Sequence, residues 1–95
     1  MNRAQAMPVV HIDNEFTRVT RWTFPPGSET GWHRHELSYV VVPVITGILQ
    51  IETRDGQRTP SPITAGQPYA RSAGVEHNVI NESGLEVAFI EIEMK

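Results

Sequence analysis

Short runs of alternating apolar and polar residues, separated by turn-forming residues, are the feature that most constrains the fold of this chain. Glu15 to Phe24 reads EFTRVTRWTF, a run rich in β-branched and aromatic residues that develops no helical stripe. Pro25-Pro26-Gly27 ends this run, because prolines cannot donate to a strand ladder and glycine permits a reversal. Roughly eight such runs, spaced ~8–12 residues apart, predict an all-β sandwich or barrel.

Two places along this pattern predict specific local structures. Asp55-Gly56 lies between ILQIET and QRTPSPI and predicts a hairpin with a loop of about two residues. In the C-terminal segment LEVAFIEIEMK the apolar positions change parity around Phe89-Ile90. Such a change indicates a β-bulge or a strand that is buried on both faces.

The size of the chain limits it to one domain. With 95 residues and a mass of 10.7 kDa it has no room for a second hydrophobic core, so we expect a single domain over residues 1–95. Residues 1–12 are polar or weakly apolar, and we expect them to be frayed or to form a dimer contact.

Composition excludes several classes of function. A formal charge of −3 argues against nucleic acid as a partner, which would require a basic surface. The longest apolar run, Tyr39 to Ile45, has the length of a strand and contains Pro43, so we expect no membrane span. The chain has no cysteine, which excludes thiol nucleophiles and disulfides. Its N-terminal residues lack the apolar run of a signal peptide, and we expect a cytoplasmic protein.

Three of the four histidines have the spacing of a metal site. His33 and His35 are two residues apart, so on a strand both rings project from the same face. His77 begins a later apolar strand and could meet them inside a closed barrel. Three neutral imidazoles that face one cavity can hold a transition metal and leave room for a ligand. An HxH pair on an exposed strand is also common, so the histidines alone leave a solvated pair as the alternative.

The glycines around these histidines resemble the two signatures of the cupin superfamily. The first, G(X)5HXH(X)3,4E(X)6G, matches Gly27 to Gly47, and the second, G(X)5PXG(X)2H(X)3N, matches Gly66 to Asn81. The stretches TGWHRHELSYVVVPV and AGVEHNVIN are similar to the minimal single-domain cupins, including those of β-alanine degradation. Asn81 follows the last histidine by four residues, and its amide can close a turn.

The resemblance implies a fold, a metal and an assembly. The fold is the cupin jelly-roll β-barrel, also called a double-stranded β-helix. The metal is one divalent ion of Fe, Mn, Ni, Zn or Cu, with His33, His35 and His77 as ligands. The assembly is a homodimer, which would also cover exposed strand edges and an apolar sheet face.

Two positions depart from the signatures. Ser72 stands where the second signature has proline, and the glutamate of the first signature is absent. Its place falls on Val40 with the four-residue spacer, which also fits Gly47, or on Tyr39 with the shorter spacer. We therefore expect Val40 to face the metal, together with Val42, and the site resembles the three-histidine variant of some cupin dioxygenases.

A fourth metal ligand and the catalytic residues stay open at this point. Glu36 follows His35 directly and should point away, whereas Tyr39 has the right parity if the strand is regular. Tyr39 and Arg71 are the candidates for catalytic residues, and Arg71 could hold a carboxylate. Arg34 alternates with the histidines and should be solvated, and His11 is expected at the surface or an interface.

Two functions are compatible with these residues and with the resemblance. The first is a metal-dependent enzyme, dioxygenase-like, that acts on a small carboxylate, thiol or keto compound. The second is a cupin that binds a small molecule through its metal, or has a structural role, without turnover. Both predict a small anionic ligand. A placed acid–base pair in the cavity would favour hydrolysis or epimerisation, and none can be assigned from the sequence.

Overall fold

The computed structural model describes residues 3–95, and it confirms the prediction of an all-β fold. This part of the chain contains no helix, and therefore none that could cross a membrane. Its eleven strands outnumber the eight expected, because the shortest have only two residues and show no alternation. The strands are β1 Ala4–Gln5, β2 Met7–Asp13, β3 Thr17–Phe24, β4 Ser28–Glu29, β5 His33–Arg34, β6 Tyr39–Ile45, β7 Gly47–Glu52, β8 Arg58–Ile63, β9 Tyr69–Arg71, β10 Glu76–Ile80 and β11 Val87–Met94.

The strands form two sheets that face each other. One has the order β1-β4-β10-β7-β8, with β5 also paired to β10, and the other has the order β2-β3-β11-β6-β9. Most neighbours in a sheet are distant in sequence, so the chain crosses repeatedly from one sheet to the other. Except for β1 with β4, all pairs in the described part are antiparallel. This arrangement is a jelly roll, and it brings β5 and β10 together.

The N-terminal segment is part of the sheets. Residues 1 and 2 of the segment 1–12 lie outside the described residues. Ala4–Gln5 pairs with β4 and Met7–Asp13 pairs with β3, so the segment is not frayed from residue 4 onward. Every residue of β2 is exposed, and the dimer contact stays a prediction.

The bulge indicated by the parity change is present. The pairing of β11 with β6 shifts register between Ala88 and Phe89. Val87, Ala88 and Phe89 are all buried, so this part of β11 is covered on both faces. Beyond the bulge, alternate residues face opposite sides of the sheet. The shift determines which side chains of β11 face the space between the sheets.

Two glycines occupy positions that a larger residue would fill only with strain. Gly56 adopts φ +84° in the loop between β7 and β8, which lies where a hairpin was expected. The last strand pair is Glu52 with Arg58, so that loop is longer than two residues. Gly47 is the first residue of β7, and a Cβ there would lie 2.6 Å from Cγ2 of Val87. Gly47 therefore permits a close approach of two strands.

The hydrophobic core lies between the sheets. Phe24 and Phe89 are at its centre, with ring centroids 5.5 Å apart. Asn81 is fully buried at the edge of this core. Its amide donates to the carbonyls of Phe24 and Leu85, and its Oδ1 accepts from Ser83, which confirms the turn-closing role. The buried apolar cluster comprises Ala6, Phe24, Tyr39, Val41, Leu49, Ile63, Val79, Val87 and Phe89.

Candidate metal centre

Strand register places the three histidines on one face. His33 on β5 lies directly opposite His77 on β10, and cross-strand partners project to the same side. His35 follows His33 by two residues, and its backbone N–H donates to the carbonyl of Val75, which extends the same ladder. Alternation along the chain places His33 and His35 on the same side, and the pairing of β5 with β10 adds His77, which is more than forty positions away in the sequence.

The ring nitrogens of these histidines converge. Nε2 of His35 lies 3.0 Å from Nε2 of His33 and 3.2 Å from Nε2 of His77. Among the described residues these three form the one cluster of His, Cys, Asp or Glu close enough to hold a metal ion. Lone pairs that meet at this distance repel one another unless a proton or a cation lies between them. The three histidines are therefore positioned to bind a metal.

The separations are compatible with one shared ion. With metal–nitrogen bonds of about 2.1 Å, nitrogens 3.0 and 3.2 Å apart subtend roughly 90–100° at a shared ion. Nε2 of His35 can therefore share one metal ion with the other two histidines.

Burial keeps two of the rings neutral. His35 is 7% exposed and His77 is 9% exposed. Burial, together with the neighbouring histidines, lowers the pKa of His35 to about 4 and that of His77 to about 4. Both rings are therefore unprotonated at neutral pH, as metal ligands must be.

The loop before β5 orients the third ring. Nδ1–H of His33 donates to the carbonyl of Gly31 at 2.9 Å, which leaves the Nε2 lone pair facing the other histidines. Thr30 Oγ1 also lies 3.2 Å from this Nδ1. Oδ1 of Asn78 accepts from the backbone N–H of Gly31 at 3.0 Å and so holds the loop in place.

Tyr39, and not Val40, faces the histidines. Tyr39 is 3% exposed and its ring stacks on the ring of His35, with centroids 4.0 Å apart and planes inclined by 24°. Val40 is half-buried on the opposite face of β6, and Val41 lines the cavity in place of Val42. The expectation that Val40 and Val42 face the metal is therefore wrong. The three-residue spacer of the first signature therefore applies, because side chains of β6 alternate regularly from Tyr39 onward.

Tyr39 is a phenol at neutral pH. Burial, with smaller contributions from Glu91 and Tyr69, raises the pKa of Tyr39 to about 12. In the metal-free protein it is thus a neutral hydrogen-bonding group. Glu36, the other candidate for a fourth ligand, has a side chain that is 81% exposed, and it lies 3.8 Å from Arg34 in an ion pair. Glu36 is not in the cluster of potential ligands.

A cavity of 660 Å³ separates the histidines from the inner face of the other sheet. Arg71, a candidate catalytic residue, lines this cavity but is exposed, and its guanidinium lies 4.6 Å from the ring centroid of Tyr69. Burial raises the pKa of Tyr69. Arg71 can therefore meet an anion at the edge of the cavity.

One carboxyl group inside this cavity was not predicted from the sequence. Glu91 on β11 is 9% exposed and lines the wall opposite the histidines. Burial, and to a smaller extent the charge of Glu93, raises the pKa of Glu91 to about 7, although a hydrogen bond from Trp22 opposes both. The alternation along β11 could have predicted this position. Residues two apart on a strand face the same side, so a buried Phe89 implies that Glu91 also faces inward.

The remaining residues that the sequence singled out lie outside the centre. His11 is exposed on β2. Trp32 is 45% exposed, with the guanidinium of Arg54 5.6 Å from its ring centroid. Arg34 is exposed at the edge of the cavity, in agreement with the solvated position expected for it.

Comparison with a family model identifies a match. The model described as "Cupin domain" matches residues 20–93. A protein of Pseudomonas aeruginosa named "Beta-alanine degradation protein BauB" is 56% identical over 93 residues, which cover 98% of this chain and 97% of that protein.

Solved structures agree in fold. A cupin domain from Bordetella pertussis Tohama I superposes with a TM-score of 0.95 and 57% identity, and the match covers 100% of this chain and 98% of that one. A protein with a double-stranded β-helix domain from Klebsiella pneumoniae matches at TM-score 0.77 and 18% identity, over 99% of this chain and 80% of that one. The second similarity supports the fold alone.

Proposed function

This chain belongs to the cupin domain family, and on that premise we propose that it is a metal-binding cupin in which His33, His35 and His77 hold one divalent transition metal ion. The observation that carries the proposal is the convergence of three Nε2 atoms at 3.0 and 3.2 Å inside a cavity large enough for a small molecule. The resemblance allows Fe, Mn, Ni, Zn or Cu, and three imidazoles do not choose among these metals.

The ligand we propose is a small anion. Three neutral imidazoles leave the charge of a divalent ion uncompensated, in a cavity whose walls include apolar side chains such as Val41 and Leu49. Attraction between opposite charges is strong where water is scarce, so a carboxylate is drawn to the imidazole end. Arg71 supports this, since its guanidinium can bind a carboxylate bidentately.

We propose that the protein is an enzyme, with a dioxygenase-like reaction on a small carboxylate, thiol or keto compound. A bound transition metal of this kind supplies Lewis-acid or redox chemistry. Tyr39 offers a phenolic hydrogen bond beside His35, and Arg71 orients an anionic end. The name of BauB supports a place in the degradation of β-alanine, which narrows the candidates to small carboxylic acids and their derivatives.

The alternative is a cupin that binds a small molecule without turnover. Among the described residues no carboxylate or cysteine lies close enough to join the histidine cluster, and this favours the alternative. Dioxygen consumption by the Fe(II)-loaded protein, with a panel of small acids, thiols and diketones, separates the two functions. Uptake with any member supports the enzyme, and binding without uptake across the panel supports the alternative.

We further propose a cytoplasmic homodimer. The outer face of the five-stranded sheet is apolar: Ile92 lies between Val19 and Val40 in register, and Ile12 on the exposed strand β2 continues the row. A second copy of this chain would cover that face and the β2 edge. The absence of cysteine suits the reducing cytoplasm.

His77→Ala tests the metal site. The variant should lose most of its metal while it keeps its fold, because the strands are held together mainly by the apolar cluster between the sheets. His11→Ala, which changes an exposed histidine, is the matched control and should retain the metal. The measurement is metal content of untagged protein by elemental analysis, with circular dichroism for the fold. Full occupancy in His77→Ala would contradict the assignment.

A further inference from the structure

We propose that the ligand of this cavity is a carboxylic acid with an apolar chain of several carbons. Its carboxylate lies at the histidines, and its chain extends along the cavity toward Leu49 and Phe89. The inference rests on the proposed function, since it requires an anion site at a metal held by the histidines. It adds the part of the ligand beyond the carboxylate, and it makes the ligand larger than a small acid such as acetate.

Charged groups lie at the end of the cavity that holds the histidines. Tyr39 stacks on His35, and its direct cross-strand partners are Arg71 on β9 and Glu93 on β11. Direct partners project to the same side of a sheet, and all three side chains line the cavity. The guanidinium of Arg71 and the histidines therefore lie at the same end, which suits the carboxylate of the ligand.

The wall that carries the histidines becomes aliphatic with distance from them. Val79 follows His77 by two residues on β10 and pairs with Ile51 on β7. Leu49 lies two residues beyond Ile51 in the same direction, and all three aliphatic side chains line the cavity. Four residues of strand thus separate the level of His77 from that of Leu49, or about 13 Å at about 3.3 Å per residue.

The facing wall shows the same change. Val41 follows Tyr39 by two residues on β6, and Pro43, two residues further on, pairs with Phe89. Trp22 on β3 is the other cross-strand partner of Phe89, and it also lines the cavity. Val41 and Phe89 belong to the buried apolar cluster between the sheets. The far end of the cavity is therefore formed by the hydrophobic core itself.

Glu91 lies midway along this facing wall, opposite Val41 in register. Its carboxyl group is buried and has the indole of Trp22 as a hydrogen-bonding neighbour. The apolar chain of the ligand therefore lies against β7 and β10, where the side chains that line the cavity between His77 and Leu49 are aliphatic.

The volume of the cavity exceeds what a small acid fills. It measures 660 Å³, within the range of about 300–1,000 Å³ for pockets that enclose drug-sized ligands. Water beside Leu49, Val79 and Phe89 finds few hydrogen-bonding partners, so its replacement by an apolar chain is favourable.

A series of straight-chain acids tests the apolar end. Acetate, butanoate, hexanoate and octanoate share one carboxylate, and titration calorimetry of the Co(II)-loaded protein at neutral pH measures their affinities. We expect a gain of about threefold to fourfold for each added methylene until the far end is filled, with an increasingly negative heat-capacity change. The terminal hydroxyl of 6-hydroxyhexanoate replaces the methyl group of heptanoate, and this acid should bind at least about tenfold more weakly.

A variant that narrows the path provides the second test. Ile51→Phe enlarges a half-buried side chain between the histidines and Leu49, and it should weaken octanoate binding at least about tenfold while acetate binding stays within about twofold. Ile48→Phe, at a position 48% exposed on the outer face of the same strand, is the matched control and should behave as the parent. Thermal denaturation checks the fold of both variants, and the acid series on the parent protein stands without them.

The outcomes separate this inference from the proposed function. Acetate that binds without any gain along the series, or 6-hydroxyhexanoate that binds as tightly as heptanoate, would overturn the inference and leave the anion site intact. Acids that all leave the Co(II) absorption spectrum unchanged would overturn the proposed anion site, and this inference with it.

Discussion

The ring of Tyr39 stacks on the ring of His35, with centroids 4.0 Å apart and planes inclined by 24°. Both residues are buried, and the stack fixes the orientation of the imidazole whose Nε2 lies within 3.2 Å of both other histidines. A buried aromatic residue thus controls the orientation of a histidine that is placed to bind a metal.

Tyr39→Ala should therefore weaken metal binding by about tenfold, since an aromatic stack contributes roughly 0.5–1.5 kcal/mol. Tyr39→Phe keeps the stack and should remain within about twofold of the parent. Competition between the protein and a chromophoric chelator measures the affinity. Val40→Ala, on the outer face of the same strand, is the control. If Tyr39→Phe lost as much affinity as Tyr39→Ala, the phenolic hydroxyl and not the stack would hold the site together.

The two buried histidines should make the metal-free protein sensitive to acid. Their pKa in the folded state is about 4, below the ordinary value of 6.5, so only the unfolded chain takes up these protons between those pH values. Stability from the neutral rings is complete above pH 6.5 and is lost as the pH falls toward 4. Thermal denaturation across this range should show a falling midpoint. His77→Gln should reduce the slope and His11→Gln should not.

Glu91 should have the opposite effect on the pH dependence of stability. Its pKa is raised from 4.5 to about 7, so the folded protein holds a proton that the unfolded chain has lost between those values. The stability that this proton confers is complete below pH 4.5 and disappears as the pH rises through 7. Glu91→Gln should therefore stabilise the metal-free protein more at pH 8 than at pH 4.5. An equal effect at both pH values would show that folding does not raise the pKa of Glu91.

Asn81 should contribute strongly to stability. Its side chain is fully buried, and its amide donates to Phe24 at 2.9 Å and to Leu85 at 2.7 Å. Asn81→Ala leaves these carbonyls without their donor and should cost about 2–4 kcal/mol in the free energy of unfolding. Asn14→Ala, which removes an exposed turn-capping side chain, should cost less. Chemical denaturation of both variants measures the difference, and similar losses would contradict the prediction.

The apolar outer face predicts the effect of a charge on assembly. Ile92→Lys places an ammonium group in the row formed with Val19 and Val40, and it should convert the proposed dimer to a monomer. Ile48→Lys, at a position 48% exposed on the other sheet, should leave the dimer intact. Sedimentation velocity measures the mass of each variant. A parent protein that sediments as a monomer would exclude the dimer.

The sequence by itself determined the all-β fold and the identity of the histidine cluster. Alternation along a strand places His33 and His35 on one face, and the resemblance to the cupin signatures links His77 to them. The bulge near Phe89 was visible as a change of parity. Asn81 was recognisable as a turn residue from its position after His77.

Only the tertiary structure decided which face of each strand lies inside. Alternation defines two faces of a strand but does not say which of them is covered, and a shift of one residue exchanges them. On β6 the pairing with β11 and β9 turns Tyr39 inward and Val40 outward. On β11 the pairing with its neighbouring strands places the side chain of Glu91 in the cavity and that of Ile92 on the outer face. This is the opposite of the usual arrangement, in which carboxylates face water. That reversal depends on strands distant in sequence, because a cavity between two sheets exists only once both have formed.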